Sequence, residues 1–120
     1  MSLGFLTAVM GASERVSPDA LSSQLHITKG ELATAAGLSR DALSKRGRIK
    51  SLATQRRLRE ITEIINRVIP WAGSELGAYA WYRSQALPSF GDATAEDLVR
   101  RGQGEAVRNY LARIAQGGFA

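Results

Sequence analysis

Basic residues are concentrated in one short part of this 120-residue chain. Positions 40–59 contain eight lysines and arginines and one acidic residue, a net charge of +7, whereas the whole chain has a net charge of +5. A stretch this basic is typical of surfaces that bind phosphate groups, those of nucleic acids above all. It also fits a solvated arginine face that has no ligand. The basic residues are Arg40, Lys45, Arg46, Arg48, Lys50, Arg56, Arg57 and Arg59.

Residues that could support catalysis are few. The single histidine, His26, lies between two apolar residues, and we expect it to pack or to cap a helix. Asp92, Glu96 and Asp97 could form an acid–base pair, but two of them fall in the first turn of a predicted helix, where acidic side chains stabilise the helix dipole. The chain has no cysteine, which excludes disulfides, thiolate metal sites and cysteine nucleophiles. We therefore expect no enzyme, no metal and no cofactor.

Two short helices are predicted before the basic stretch. Ser17-Pro18-Asp19 combines an N-cap serine with a proline at the first helical position, which predicts a helix that runs to about Leu25. Thr28 followed by Glu31 is a capping box, so a second helix should begin there and end at Gly37 in the left-handed conformation.

A third short helix completes a helix-turn-helix pattern. Ser39 is expected to cap this helix, which should run through about Lys45 and be closed by Gly47. In a helix-turn-helix protein the third helix enters the major groove, and Arg40 is the first candidate for a base contact. The residues predicted to bind DNA are Ser39, Arg40, Asp41, Ser44, Lys45, Arg46, Arg48, Lys50, Arg56 and Arg57.

A long amphipathic helix should follow. From Thr54 onward, apolar residues recur every three or four positions, and Pro70 is expected to stop the helix. Ser74 can cap the next helix, which we expect Pro88 to end.

The rest of the chain also indicates helices. Residues 88–92 predict a turn, and Thr94 with Asp97 predicts another capping box. A last helix should begin after Gly104 and end at Gly117. Since no alternating apolar pattern of useful length occurs, we predict an all-α fold.

The first ten residues are mildly apolar, but they lack the basic start and the long apolar run of a signal peptide or a membrane span. We expect residues 1–10 to form a frayed or loosely docked leader. Together with the lack of cysteine, this favours a cytoplasmic protein.

The C-terminal half resembles a known family. The resemblance lies in residues 80–85 and 87–99, in the apolar positions Val107, Leu111 and Ile114, and in the ending at residues 117–120. These segments resemble the C-terminal toxin-binding domain of the Xre/MbcA/ParS antitoxin family, and the preceding helix-turn-helix segment is similar to the DNA-binding half of the same family. The chain departs from the common family pattern at Asp92 and Ala95.

The resemblance implies a two-part, all-α antitoxin. A helix-turn-helix DNA-binding domain over residues 14–70 would be joined by the long helix to a small toxin-binding domain over residues 71–120. Such a protein dimerises, represses its own operon by binding operator double-stranded DNA, and neutralises a RES-type toxin that attacks NAD. The resemblance assigns toxin binding to Arg113, Gln116, Gly117, Gly118, Phe119 and Ala120. Two alternatives stay open: a stand-alone transcriptional regulator whose C-terminal domain serves dimerisation, and a helical adaptor that binds protein alone.

Overall fold

The computed structural model of the chain describes residues 3–11, 14–44 and 46–115. Within these ranges the fold is all-helical, as predicted, with nine α-helices, one short 3-10 helix and no β-strand. None of the described helices combines the length and the apolar character that a membrane span requires. The α-helices are α1 (Leu3–Met10), α2 (Pro18–Leu25), α3 (Lys29–Ala36), α4 (Arg40–Ser44), α5 (Arg46–Ile49), α6 (Leu52–Ala72), α7 (Glu75–Ser84), α8 (Ala95–Arg100) and α9 (Gly104–Ala115), with the 3-10 helix Pro88–Phe90 between α7 and α8.

Side-chain caps begin α2, α3 and α8 at the predicted positions, whereas α6 begins at Leu52, before the predicted Thr54, with Ser51 as its cap. The Ser17 hydroxyl accepts a hydrogen bond from a backbone N–H in the first turn of α2. At α3 the capping box is complete, because Thr28 Oγ1 accepts from the Glu31 N–H at 3.0 Å and Glu31 Oε1 accepts from the Thr28 N–H at 3.1 Å. Thr94 and Asp97 form the same reciprocal pair at α8. These starts depend on residues three positions apart, which is why the sequence predicts them.

Residues 3–10 form a helix that packs into the core, so the expectation of a frayed or loosely docked leader is wrong. Phe5 and Val9 of α1 are 2% and 1% exposed and belong to the main apolar core. The carbonyl of Val9 also accepts a hydrogen bond from the N–H of Ser17, the N-cap of α2. Apolar residues four positions apart lie on one face of a helix, and here that face packs against the rest of the protein.

Pro70 does not stop the long helix. α6 continues to Ala72 and ends at Gly73, which has a φ of 87° and donates its N–H to the carbonyl of Ile69 at 2.8 Å. A proline in the last turn removes a single helical hydrogen bond, so the helix can continue past it to a left-handed glycine.

Two other helix ends differ from prediction. Gly47 lies inside α5 and does not close the preceding helix, while Lys45 lies outside the described residues. α7 ends at Ser84, four residues before Pro88, because the chain turns to an extended conformation in which Leu87 donates its N–H to the carbonyl of Ala93 at 3.0 Å.

The central helix α6 organises the core. Its buried face consists of Leu58, Ile61, Ile64, Ile65 and Val68, each at most 1% exposed. α7 and α9 pack along α6, and α8 packs against α3. As a result, apolar residues from Phe5 to Leu111 form one contiguous cluster. The predicted domain boundary at residue 70 falls within α6, and the division into two functional domains stays a prediction.

Candidate nucleic-acid interface

The helices α3 and α4 are joined by a tight turn of three residues. Gly37 ends α3 with a φ of 70°, and the Leu38 N–H bonds to the carbonyl of Ala33 at 2.8 Å. Ser39 Oγ then accepts a hydrogen bond from the Ala42 N–H at 3.3 Å. Leu43 is 1% exposed, so it anchors α4 in the core and leaves the opposite face of α4 outside.

A groove lies between α3 and α4. It has a volume of about 420 Å³, and its lining includes Arg40, Asp41 and Ser44 from α4, together with Lys29 from the start of α3. Ser39 is exposed next to these residues. The structure therefore brings Arg40, Asp41 and Ser44 together, as the predicted site requires.

Lys29 also lines this groove, although it is not among the residues predicted from sequence. Its Nζ lies 3.1 Å from the carboxylate of Asp19 on α2. The only signal in the sequence is its place beside the capping threonine, and that position does not show which way the side chain points. An exposed ion pair of this kind contributes about 0–1 kcal/mol, so Lys29 can exchange Asp19 for a phosphate at little cost.

Further basic residues surround two adjoining clefts at the start of α6. The larger cleft, of about 540 Å³, is lined by Arg56 and Arg59 among others. The smaller cleft, of about 410 Å³, is lined by Lys50 and again by Arg59, and also by Arg15, which the sequence analysis did not select. Arg48 is exposed as well.

Arg57 lies apart from the other predicted DNA contacts. It is partly buried, and its Nη1 donates a hydrogen bond to the carbonyl of Val99 near the end of α8. The same nitrogen lies 3.1 Å from the point where a Cβ on Gly37 would stand. In this arrangement Arg57 connects α6, α8 and the turn between α3 and α4. No spacing rule indicates such a contact, because its partner is a backbone carbonyl 42 positions away.

A second buried contact joins the C-terminal half to α3. Tyr82 on α7 is fully buried, and its hydroxyl donates to the carbonyl of Ala35 at 2.6 Å. Ala35 belongs to the last turn of α3, where carbonyls lack helical partners, so the tyrosine satisfies one of them. Burial raises the pKa of Tyr82 well above its ordinary value, and the nearby carboxylate of Glu96 adds to the shift.

The residues considered for catalysis are placed at helix ends and in ion pairs. His26 is exposed at the end of α2, in the left-handed conformation, and Asp92 is exposed in the turn after the 3-10 helix. Glu96 lies 3.5 Å from Arg83, which raises the pKa of that arginine. Hydrogen bonds from Thr94 lower the pKa of Asp97. Among the described residues, no three acidic or histidine side chains are grouped so that they could hold a metal ion.

Part of each predicted site lies outside the described residues. Arg113 is exposed in the last turn of α9, but Gln116, Gly117, Gly118, Phe119 and Ala120 are not described. The same holds for Lys45 and for the side chain of Arg46.

The chain matches no family model, no curated protein and no solved structure. The chemistry of the site therefore has to be inferred from its own geometry. Guanidinium, ammonium and hydroxyl groups on the α3–α4 groove and around the two clefts are donors that suit phosphate oxygens and the acceptor edges of bases.

Proposed function

We propose that this protein binds double-stranded DNA as a helix-turn-helix protein, with α4 as the recognition helix. The observation that supports this best is the pairing of α3 and α4 across the three-residue turn, with the buried face of α4 in the core and Arg40 and Ser44 exposed. In this binding mode the start of the recognition helix contacts base edges in the major groove. Arg40 is the first residue of α4, and an arginine there can donate two hydrogen bonds to guanine.

The charge distribution supports the same proposal. Phosphate contacts supply the part of DNA affinity that does not depend on sequence, and they come mainly from arginine and lysine. The described part of the basic stretch exposes Arg48, Lys50, Arg56 and Arg59 after α4. A homodimer would place two copies of α4 in successive major grooves of a palindromic operator.

The sequence resemblance extends the proposal to the C-terminal half. We propose that the chain is an antitoxin that neutralises a RES-type toxin by direct binding and represses its own operon. The exposure of Arg113 in the last turn of α9 is compatible with toxin binding. The proposed toxin contacts are Arg113, Gln116, Gly117, Gly118, Phe119 and Ala120.

A DNA-binding measurement tests the first part. Fluorescence anisotropy would compare a labelled duplex from the region upstream of the gene with a mixed-sequence duplex. Arg40→Gln should weaken binding to the upstream duplex by roughly 5- to 150-fold, since a good arginine–guanine contact discriminates by about 1–3 kcal/mol. The control Arg67→Gln removes an exposed charge from the C-terminal part of α6 and should change the affinity much less. Equal affinity of the wild type for both duplexes would contradict sequence-specific binding by α4.

A growth assay tests the antitoxin proposal. The chain would be co-expressed with the product of the adjacent gene, and growth rescue and co-purification would be scored. Rescue by the full chain, and none after deletion of Phe119 and Ala120, is the expected result. No toxicity and no complex would favour the alternative, a stand-alone regulator whose C-terminal half serves dimerisation.

A further inference from the structure

Gln55, near the start of α6, forms hydrogen bonds to two segments of the chain that are distant in sequence. Gln55 is buried, with 5% of its surface exposed. Its Oε1 accepts a hydrogen bond from the Val16 N–H at 2.8 Å, and its Nε2 donates to the carbonyls of Val16 at 3.1 Å and of Ile49 at 2.9 Å. The segment before α2 and the end of α5 are therefore held side by side against α6.

Each of the two segments bonded to Gln55 brings a basic residue to the same cleft. Arg15 directly precedes Val16, and Lys50 directly follows Ile49. Both line the smaller cleft at the start of α6, together with Arg59. Arg59 also bonds to the carbonyl of residue 14 through its Nη2, at 3.2 Å, which holds its guanidinium beside this segment.

The adjoining cleft extends the basic surface. It shares Arg59 with the smaller cleft and adds Arg56. Acidic residues are present too: Glu14 lines the smaller cleft, and Glu60 and Glu105 line the larger one. Arg108 also lines the larger cleft and lies 3.9 Å from Glu60, but its shorter ion pair, of 2.9 Å, is with Glu63. Of the described residues, five basic and three acidic ones line the two clefts together, so the excess charge of their lining is positive.

We infer that Arg15, Lys50, Arg56 and Arg59 form a phosphate-contact surface for the DNA backbone, held in shape by Gln55. This inference rests on the proposed DNA binding and adds Arg15 and Gln55 to it; like Arg59, neither is among the residues predicted from sequence to bind DNA. It also separates Arg57 from the surface, because the Arg57 guanidinium bonds to α8.

A DNA backbone fits this surface better than an acidic protein does. The centres of protein interfaces are apolar and poor in charged residues. Among the described residues that line the two clefts, the only large apolar side chain is Leu52, and the rest are mainly charged. The recognition helix α4 belongs to the same basic stretch of the chain as Lys50, Arg56 and Arg59.

The test is the salt dependence of binding to a mixed-sequence duplex of about 30 base pairs, because phosphate contacts do not depend on base sequence. Each cation that contacts a phosphate adds about 0.9 to the steepness of the log affinity against log salt plot. Arg15→Gln should reduce this slope by about 0.9, and Arg15→Gln combined with Lys50→Gln should reduce it by about 1.8. Thermal melts followed by circular dichroism would show that each variant is folded at the temperature of measurement.

The matched control removes two exposed arginines that line neither cleft, Arg67→Gln with Arg101→Gln. It has the same net charge as the double variant, and its slope should equal that of the wild type. If the slope falls equally in the control, the change is a general effect of net charge, and the inferred phosphate-contact surface is wrong.

Three other outcomes would also overturn it. If the wild type binds the duplex and the slope of the Arg15 and Lys50 variant is unchanged, the surface fails while the proposed DNA binding stands. If the wild type does not bind the duplex at all, both the phosphate-contact surface and the proposed DNA binding are wrong. If polyglutamate binds the wild type but not the double variant, and the duplex slope does not change, the surface serves an acidic protein.

Discussion

Replacing Gly37 by alanine tests how closely the turn after α3 packs against α8. Gly37 has a φ of 70°, which costs an L-amino acid about 1–2 kcal/mol. A Cβ at this position would also stand 3.0 Å from Cα of Arg100 and 3.1 Å from Nη1 of Arg57. The first neighbour is backbone and cannot move alone, so either the turn or the end of α8 must shift. Overpacking of this kind costs about 1–3 kcal/mol.

Gly91 provides a matched control. Its φ is 67°, almost equal to that of Gly37, but nothing lies within 4 Å of the point where its Cβ would stand. Gly91→Ala therefore pays the backbone cost of about 1–2 kcal/mol without the steric cost. The difference between the two alanine variants measures the contact between the turn and α8.

Thermal unfolding followed by circular dichroism can measure both. For a chain of 120 residues, 1 kcal/mol corresponds to about 4 °C in Tm. We expect Gly91→Ala to lower Tm by about 4–8 °C and Gly37→Ala to lower it by about 8–20 °C. Equal decreases in the two variants would refute the packing of α8 against this turn. A Gly37→Ala chain that does not fold would place the cost at or above the upper end of the range.

Three further substitutions test individual contacts. Tyr82→Phe leaves the carbonyl of Ala35 without a partner and should cost about 1–3 kcal/mol of folding stability. Because folding raises the pKa of Tyr82 above 10.0, the wild type should lose stability as the pH rises past that value. Urea melts at about pH 9 and pH 11 should therefore show a smaller loss of stability in the variant than in the wild type. Gln55→Leu removes three hydrogen bonds and should cost about 2–4 kcal/mol in the same melts, whereas an unchanged stability would show that water or another group replaces the amide. Thr28→Ala breaks the capping box with Glu31 and should cost about 1 kcal/mol, and Glu31→Ala should add little once Thr28 is gone, because the two bonds belong to one motif.

Helix starts were predictable because their chemistry is local. Ser17, Thr28 and Thr94 each act on an N–H three residues ahead, so the sequence contains both partners. Helix ends were less predictable. For example, α7 ends at Ser84 because the following residues are extended and Leu87 bonds to the carbonyl of Ala93. Docking of α1 depends on a face provided by other helices, and its own eight residues do not show that face.

The candidate site divides in the same way. Arg40, Asp41 and Ser44 lie on one helix, and their common exposure follows from the helical repeat once Leu43 is buried. Arg15 joins Lys50 because Gln55 forms hydrogen bonds to residues 6 and 39 positions away, and no sequence pattern contains that information. The number of basic residues alone could not distinguish an arginine that is available to phosphate from one that forms an internal hydrogen bond, as Arg57 does.

The internal contacts also bear on how the two proposed partners would affect each other. The turn after α3 and the last turn of α3 are held by the C-terminal helices, through Tyr82 to Ala35, through Arg57 to Val99, and through the close approach of Gly37 to Arg100. A partner that shifts α7 or α8 must therefore shift the end of α3 and the turn before α4, or break these contacts. By thermodynamic linkage, any factor by which a bound toxin changes affinity for DNA is also the factor by which DNA changes affinity for the toxin. Couplings of this kind are typically about 1–3 kcal/mol, which is comparable to the cost of losing the Tyr82 hydrogen bond alone. The loss of one such contact is therefore of the size needed to couple the two proposed partners.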